Sequence, residues 1–458
     1  MNRASATAGA WEPYVPGESA PWDLRRVVHL HRRAGFGATW AEVWRDLQDG
    51  PEASVGRLLD GKARDYAVPE GFEATSTLLA DAAVASRDPA RLKAWWTYRM
   101  AFGPDPLGER LTLIWHDHFA TSNAKVEDLA AMRRQNETFR RLARAPFGEL
   151  LAASVREPAL LAWLDAPANR KGHPNENLAR ELMELFTLGI GHYTEGDVGE
   201  AARALTGWAV DEGRFRDFPN RHDDGPKVLF GKPGRYSGDD LVEILLDHPA
   251  TPHRLASRIA GAFLGERAVG PEAVVALAES LKASRLDVGR AVGLVLRSRA
   301  FFDRANLGSR VVGPVEFVVA PARALELLDP PPSTLVLADW SSRLGQDLFY
   351  PPNVGGWPGG RGWLTSRSVI GRANYASALV EGRGVGRPMP FDPAALAARH
   401  GRGEGRDATL TFLADLLFGG GPPPPWRARI EAAAGPWNPE AARRAVALAL
   451  ASPEAQTC

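Results

Sequence analysis

Residues 175–194, NENLARELMELFTLGIGHYT, carry the clearest helical pattern in the chain. On a helical wheel one apolar stripe contains Leu178, Leu182, Leu185, Phe186 and Gly189. Glu181 and Glu184 lie in a second stripe that borders the first. A carboxylate at the edge of an apolar face is partly desolvated and needs an arginine, a proton or a metal as its partner. The stretch therefore predicts one helix, with these two glutamates as the first candidates for chemistry.

Helical periodicity extends outward from this stretch in both directions, and no series of strands or strand–helix alternation interrupts it. The 46 glycines and 36 prolines lie mostly in long connections such as FPNRHDDGPK and GGGPPPPW. Only residues 209–236 have alternating, turn-rich sequence. We therefore predict a mainly α, multi-helix globular fold with long Pro/Gly-rich loops and at most a small β-hairpin.

The length of 458 residues is large for a single core, which favours more than one unit. Residues 382–406 are rich in Gly, Arg and Pro, as linkers are. The sequence predicts a main helical domain over 1–381, a linker over 382–406 and a C-terminal helical appendage over 407–458 that can pack on the main domain.

Composition excludes several classes of protein. Lys+Arg and Asp+Glu are equal at 55 each, so nucleic acid is not expected as a partner. Cys458 is the only cysteine, which excludes an intrachain disulfide, a Cys-based zinc site and a Cys-ligated iron–sulfur cluster. No signal-peptide pattern and no apolar run of about 18 residues occurs, so we expect a cytoplasmic protein without a membrane segment.

The sequence WHDH (115–118) ends an apolar helical pattern, and His118 falls on the apolar stripe with Leu111 and Ile114. A buried histidine needs a partner for each ring nitrogen. One interpretation is a core histidine that caps helix carbonyls. The other is a metal ligand or general base beside Glu181 and Glu184.

The carboxylate helix also has two interpretations. Glu176, Arg180 and Glu184 are four residues apart, as in an exposed ladder of ion pairs. That ladder leaves Glu181 unexplained, because Leu185 and Leu188 lie on the same side of the wheel. The Glu-x-x-Glu spacing partly matches the helical carboxylate sites that bind two metals, which use Glu-x-x-His.

Two loops carry further candidates. RHDDGPK (221–227) contains His222 and Asp223, which suit either a Ca²⁺ or Mg²⁺ site or a solvated Asx turn. YPPNVGGWPGGRGWL (350–364) places Asn353, Trp357 and Arg361 among rigid prolines and permissive glycines. This second loop predicts either a wall that binds a ring or sugar, or a loop pinned by buried tryptophans.

Six segments together resemble one known family: HLHRRAGFGAT (29–39), WHDHFATS (115–122), NENLARELMELFTLGIGHYTEGDV (175–198), ARALTGW (202–208), HDDGPKVLFGK (222–232) and PPNVGGWPGGRGWL (351–364). They resemble the bacterial domain-of-unknown-function family numbered 1800, in order and over nearly the whole chain. The resemblance implies no activity. It implies a partner, because genes of this family often stand beside those of a family numbered 1501, whose members look like sulfatases or alkaline phosphatases.

Three functions follow as hypotheses. The first is a metal-dependent enzyme, a hydrolase or oxidase, in which a divalent metal activates water or changes redox state. Its catalytic residues would be Glu181, Glu184, His118 and Arg361, with Asn353 and Trp357 binding a cofactor. Its metal ligands would be His118, Glu181, Glu184, His192, His222 and Asp223.

The second hypothesis is a non-catalytic helical scaffold or partner protein of the sulfatase/phosphatase-like protein. The third, a haem peroxidase, is weak because Arg110 precedes His116 by six residues, so the two side chains would not face one ligand. The chain contains no Gly-x-Ser-x-Gly, His-Glu-x-x-His or EF-hand pattern to support another enzyme class.

Overall fold

The computed structural model describes residues 9–64, 68–265, 268–420 and 424–458. The prediction of a mainly α fold is confirmed: α-helices make up most of these residues, and the strands are few and short. In the described part of the chain, no helix has both the length and the apolar character needed to cross a bilayer.

The α-helices are α1 (Leu24–Ala34), α2 (Trp40–Leu59), α3 (Phe72–Ser86), α4 (Pro89–Phe102), α5 (Pro106–His118), α6 (Asn123–Val126), α7 (Leu129–Arg141), α8 (Phe147–Ser154), α9 (Pro158–Trp163), α10 (Asn177–Glu181), α11 (Glu195–Ala204), α12 (Gly238–Asp247), α13 (Ala250–Leu264), α14 (Pro271–Ala283), α15 (Val288–Leu296), α16 (Arg299–Phe302), α17 (Pro314–Ala324), α18 (Thr334–Arg343), α19 (Ser366–Glu381), α20 (Pro393–Arg399), α21 (Gly405–Phe418), α22 (Pro424–Ala434) and α23 (Pro439–Ala451).

The strands form two hairpins: β1 (Trp208–Asp211) with β2 (Arg214–Asp217), and β3 (Lys227–Leu229) with β4 (Lys232–Gly234). Both lie in or beside the segment where the sequence predicts at most one. Each hairpin turns through two residues of positive φ, Glu212–Gly213 and Phe230–Gly231. This backbone matches the twist of two-residue hairpins and explains the glycine at the second position.

Helix α5 lies inside the fold. Asp105 caps it by accepting from the amide of Gly108, and Pro106 occupies its first position. Every residue from Pro106 to His118 except Asp117 is buried. A helix that is buried on nearly all sides cannot satisfy its polar side chains with water. The charged side chains of α5 therefore have their partners on several neighbouring helices.

Four apolar clusters hold the described helices together, and two of them are larger than the others. The larger one joins α5, α10 and α13 through Trp115, Leu178 and Ile259. The second joins α1 and α17 to α21 and α23, through residues such as Leu413 and Val446. Residues 382–406 contain the short helix α20, whose Leu396 enters the second cluster. The division into main domain, linker and appendage stays a prediction.

A buried ion pair connects α2 to α17. Both Glu42 oxygens accept from Arg323 Nη2 at 2.9 Å, and the two side chains are 1% and 2% exposed. Glu42 also completes the capping box of Thr39, and Arg323 donates to the carbonyl of Ala101 at 2.7 Å. Although burial raises the pKa of Glu42, the guanidinium groups of Arg323 and Arg64 bring it below its ordinary value.

We expect Arg323→Met to lower the free energy of unfolding by about 3–5 kcal/mol, because it leaves Glu42 buried without its cation. Urea denaturation followed by circular dichroism measures this change. Arg91→Met is the matched control: Arg91 is exposed and pairs with Asp88 at 3.5 Å, so we expect a change below about 1 kcal/mol. Equal losses in the two variants would show that the buried pair has no special role.

Candidate functional site

An open cleft with about 1510 Å³ of empty space lies between α5, α13 and two loops. From α5 it is lined by Arg110, Leu113, Ile114 and Asp117, and from α13 by Arg254, Ser257, Arg258 and Gly261. Both sets have the spacing i, i+3, i+4, i+7, which places them on one face of each helix. The other walls come from residues 309–316 and 357–363 and from Gln346.

The cleft is strongly cationic. Five arginines line it, against two carboxylates: Arg110, Arg254, Arg258, Arg310 and Arg361, with Asp117 and Glu316. The first four arginines each have a buried Nε–H without a hydrogen-bond partner. Two carboxylates cannot neutralise five guanidinium groups, so the cleft keeps an excess of positive charge that an anion would balance.

Asp117 connects three walls of the cleft. Its Oδ2 accepts from Arg258 Nη2 at 2.6 Å, and its Oδ1 accepts from the amide of Trp357 at 2.8 Å. Gly356, just before Trp357, has φ +92° and lies against the same carboxylate. One side chain of α5 thus sets both the position of an α13 arginine and the path of the loop.

Glu316 lies between two arginines. It pairs with Arg110 at 3.2 Å and accepts from both Nη atoms of Arg310, at 3.0 Å to Oε2. The amide of Gly313 adds a further donor at 3.0 Å. Although burial raises the pKa of Glu316, Arg110 and Arg310 lower it to about 2. The carboxylate therefore stays ionised at neutral pH and balances one of its two cations.

Arg254 has a carbonyl rather than a carboxylate as its hydrogen-bond partner. Its Nη2 donates to the carbonyl of Leu185 at 3.2 Å. Burial, the main cause, and the neighbouring Arg258 lower the pKa of Arg254, while Glu184 raises it. Arg254 therefore lies between the cleft and the carboxylate helix. Of the two arginines on α13, it is the one whose hydrogen-bond partner is not a carboxylate.

The carboxylate helix differs from the single regular helix that its sequence predicts. α10 ends at Glu181, and a π-helix (Leu182–Thr187) follows it. Thr187 Oγ1 donates to the carbonyl of Leu182, five residues back, at 2.6 Å. The wider turn leaves the carbonyls of Leu185 and Phe186 to accept from Arg254 and His118. π-turns of this kind are frequent at functional sites.

His118 lies under the cleft. It is 5% exposed, and its Nε2–H donates to the carbonyl of Phe186 at 3.1 Å. Burial, followed by the charges of Arg258 and Arg254, holds its pKa well below the ordinary value, so the ring is neutral. This geometry agrees with the first interpretation of His118, a core histidine that caps helix carbonyls. Its hydrogen-bond partner is a carbonyl, and neither Glu181 nor Glu184 is bonded to it.

Glu181 and Glu184 lie one turn apart, as the spacing predicts. Tyr193 Oη donates to Glu184 Oε2. Glu181 is half-buried; burial and then the charge of Glu184 raise its pKa above the ordinary value. Glu176, Arg180 and Glu195 form a separate, more exposed group of ion pairs, with Arg180 donating to both glutamates. The sequence predicts ion pairs of Arg180 with Glu176 and Glu184. In the structure Arg180 pairs with Glu176 and Glu195 instead.

The remaining predicted ligands lie apart. His192 is exposed, with its ring 6.3 Å from that of His248. His222 Nδ1 faces the carbonyl of Thr206 at 2.9 Å. Asp223 accepts from Arg203 at 2.8 Å and from the amide of Gly225 at 2.9 Å. Arg203, the main cause, lowers the pKa of Asp223 to about 2, and the Asx-turn alternative describes this loop.

A common metal site is not confirmed. Over residues 9–64, 68–265, 268–420 and 424–458, no three His, Cys, Asp or Glu side chains come together in a way that could hold a metal ion. Arginines or carbonyls are the hydrogen-bond partners of several of the six predicted ligands, namely His118, Glu181, Glu184, His192, His222 and Asp223. A metal shared by these residues stays a prediction.

The Pro/Gly loop supplies two of its three predicted residues to the cleft. Trp357 and Arg361 line it, and Trp357 Nε1 donates to the carbonyl of Asp347 at 3.1 Å. Asn353 is exposed and instead shapes the turn, where its Oδ1 accepts from the amide of Gly355 at 2.9 Å. The loop has features of both interpretations. Its tryptophans are buried and hold it in place, and Arg361 lines the cleft.

Sequence reasoning missed the arginines of α13. Arg254, Ser257, Arg258 and Gly261 recur at helical spacing on the face opposite the apolar residues of that helix. This pattern alone is typical of a solvated face. Only the pairing of Arg258 with Asp117 in a distant motif, 141 residues away, shows that the face lines a cleft.

We expect Gly356→Ala to lower the free energy of unfolding by about 1–3 kcal/mol, because φ is +92° and the added Cβ would lie 2.3 Å from Asp117 Oδ1. Gly261→Ala is the control on the opposite wall. A Cβ there meets nothing within 4 Å, so we expect a gain of roughly 0.5–1 kcal/mol from the helix interior. Thermal unfolding by calorimetry gives both values. A neutral Gly356→Ala would rule out the close approach to Asp117.

Comparison with known proteins places the whole cleft inside one family region. The model of the family described as "Protein of unknown function (DUF1800)" matches residues 29–457. No curated protein and no solved structure matches the chain.

Proposed function

The chain belongs to the DUF1800 family, and we propose that it binds a ligand carrying a phosphate, sulfate or carboxylate group in the cleft between α5 and α13. The observation that carries this proposal is the excess of arginine: five guanidinium groups line the cleft and two carboxylates oppose them. Arginine is the residue best suited to such anions, because its planar fork of donors matches their oxygens.

The energetic argument concerns desolvation. Arg110 is 6% exposed, and the pKa values of Arg110 and Arg254 are lowered mainly by burial. Arg110 shares the carboxylate of Glu316 with Arg310, and Arg254 has only a carbonyl as its hydrogen-bond partner. Burial of these charges is therefore incompletely offset and destabilises the fold. Such a strained arrangement is typical of a site that a ligand completes, and binding of an anion would return the lost stabilisation.

Apolar side chains line the cleft together with the arginines. Ile114, Trp357 and Trp363 line the same cleft, and Pro358 lies beside them. The anionic group would therefore contact the arginines while an organic part of the ligand packs against the tryptophans. Pockets with an apolar lining and a few convergent polar groups are the usual form of small-molecule sites.

The geometry supports binding more than chemistry by these residues. Both carboxylates of the cleft are engaged by arginines, and the neutral His118 donates to a backbone carbonyl. A general base would need an available lone pair near the ligand. The predicted metal-dependent hydrolase or oxidase thus remains a separate hypothesis, and the cleft is proposed as a binding site.

We expect Arg361→Gln to weaken binding of inorganic phosphate about tenfold, because it removes one charge-assisted contact, worth about 1.5–3 kcal/mol. Isothermal titration calorimetry with phosphate, sulfate and acetate measures this, and raising the salt concentration should weaken binding further. Arg361 is exposed and makes no ion pair in the described part of the chain, so the variant should fold normally.

Arg290→Gln is the matched control, because Arg290 is exposed on α15 and does not line the cleft. Its affinity should equal that of the wild type. Two outcomes would overturn the proposal: absence of saturable binding by all three anions, or the same loss of affinity in both variants.

A second candidate function is the predicted partnership with a sulfatase/phosphatase-like protein. One observation favours it: α19 begins directly after the cleft loop, and Val369 and Ile370 on it are 47% and 63% exposed, with Leu364 at 37%. A partner that docks on this apolar strip would lie next to the anion cleft. The two proteins together would then hold an ester and cleave it.

We expect Ile370→Asp to abolish co-purification with the co-encoded protein, because a charge at the centre of a buried apolar contact is costly. Val275→Asp on α14, where Val275 is 49% exposed, is the control and should keep the complex. Size-exclusion chromatography of the mixed proteins gives the readout. Failure of the wild-type pair to associate would end this second candidate.

A further inference from the structure

We propose, on the basis of the anion site described above, that the cleft selects phosphate monoesters over sulfate monoesters. The two groups have nearly the same tetrahedral shape but differ in charge. A phosphate monoester carries close to two negative charges above its second pKa of about 6, whereas a sulfate monoester carries one. The inference rests on how many arginine charges the protein itself leaves uncompensated.

The ion pairs of the cleft allow these charges to be counted. Asp117 balances Arg258. Glu316 contacts both Arg110 and Arg310 but, as a single carboxylate, neutralises only one of them. The Sγ of Cys458 accepts from Arg310 Nη2 at 3.2 Å and gives that guanidinium a second acceptor, which is not a carboxylate. One positive charge therefore remains on the α5 side of the cleft, next to the buried carboxylate that holds the two guanidinium groups together.

The α13 side and the loop add two more. Arg254 has a backbone carbonyl as its hydrogen-bond partner, and Arg361 makes no ion pair within the described residues. Glu184 is the acidic group that acts on Arg254, and one of its oxygens already accepts from Tyr193. Even if Glu184 balances Arg254 in full, two uncompensated cations line the cleft, which matches a dianion better than a monoanion.

Partial burial of the arginines increases the effect of the ligand's charge on its affinity. Arg254 and Arg258 are half-buried, and Arg110 is almost fully buried. Charge–charge attraction grows as water is excluded, since the effective dielectric constant falls. A second negative charge on the ligand therefore adds more binding at the buried Arg110 and the half-buried Arg254 than at the exposed Arg361. Trp357 and Trp363 line the same cleft and offer apolar surface to the ester's organic group.

The test compares 4-nitrophenyl phosphate with 4-nitrophenyl sulfate by isothermal titration calorimetry at about pH 8, where the phosphate ester is doubly ionised. The two probes share their aryl group, so apolar contacts cancel. We expect the phosphate ester to bind at least tenfold more tightly to the full-length protein. Arg254→Gln should reduce this ratio, while Arg290→Gln should leave it unchanged; circular dichroism verifies that both variants are folded.

The outcomes separate the two proposals. Binding of neither ester, nor of inorganic phosphate, would overturn the anion site itself. Equal binding of the two esters, or tighter binding of the sulfate ester, would overturn the selectivity while leaving the anion site intact. A preference that is the same in Arg254→Gln as in the wild type would also count against the charge argument, because it would place the discrimination elsewhere.

Discussion

The contacts of Asp117 are the interaction on which the cleft depends. A single carboxylate on a buried helix receives a guanidinium from α13 and a backbone amide from the Pro/Gly loop. The side chain is partly exposed, and each of its oxygens accepts from one of these two donors. Asp117 thereby joins three segments that are far apart in sequence. It also explains the glycine before Trp357, where any side chain would collide with the carboxylate.

Two helices each serve a core and a cleft. α5 and α13 contribute apolar residues such as Trp115 and Ile259 to one cluster, and the stripe that remains on each helix faces the cleft. The apolar cluster sets the distance and the relative rotation of the helices. The charged side chains then occupy positions that packing has already determined, which is how a rigid scaffold holds arginines close together despite their mutual repulsion.

The sequence predicted the features that depend on neighbouring residues. Helical periodicity and the turn-rich segment act over a few residues, and the structure contains both of them. Trp357 and Arg361, predicted from their Pro/Gly/Trp-rich loop as cofactor-binding and catalytic residues, both line the cleft, and those roles stay predictions. The sequence predicts at most one hairpin, whereas the structure has two. Their turn residues, Glu212–Gly213 and Phe230–Gly231, do not have the composition most typical of two-residue hairpin turns.

The site as a whole could not be predicted, because its charges are balanced by contacts between distant segments. Asp117 and Arg258 are 141 residues apart, and periodicity carries no information at that range. In the same way, the sequence does not show that Arg203, twenty residues before Asp223, donates to its carboxylate. The π-helix was hidden as well, since its wide turn is stabilised by the hydroxyl of Thr187 and by donors from α5 and α13.

The position of His118 shows why the cleft acts through charge. Its ring lies beneath the arginines, and burial together with Arg254 and Arg258 keeps it neutral. A protonated histidine there would add a further positive charge to an uncompensated set, at a high desolvation cost. Because its Nε2–H is bonded to Phe186, the neutral ring connects the π-helix to α5 without contributing charge. The protein thus places its cations on arginines, which remain charged at all physiological pH values, and the attraction of the cleft for an anion becomes a permanent property of the fold.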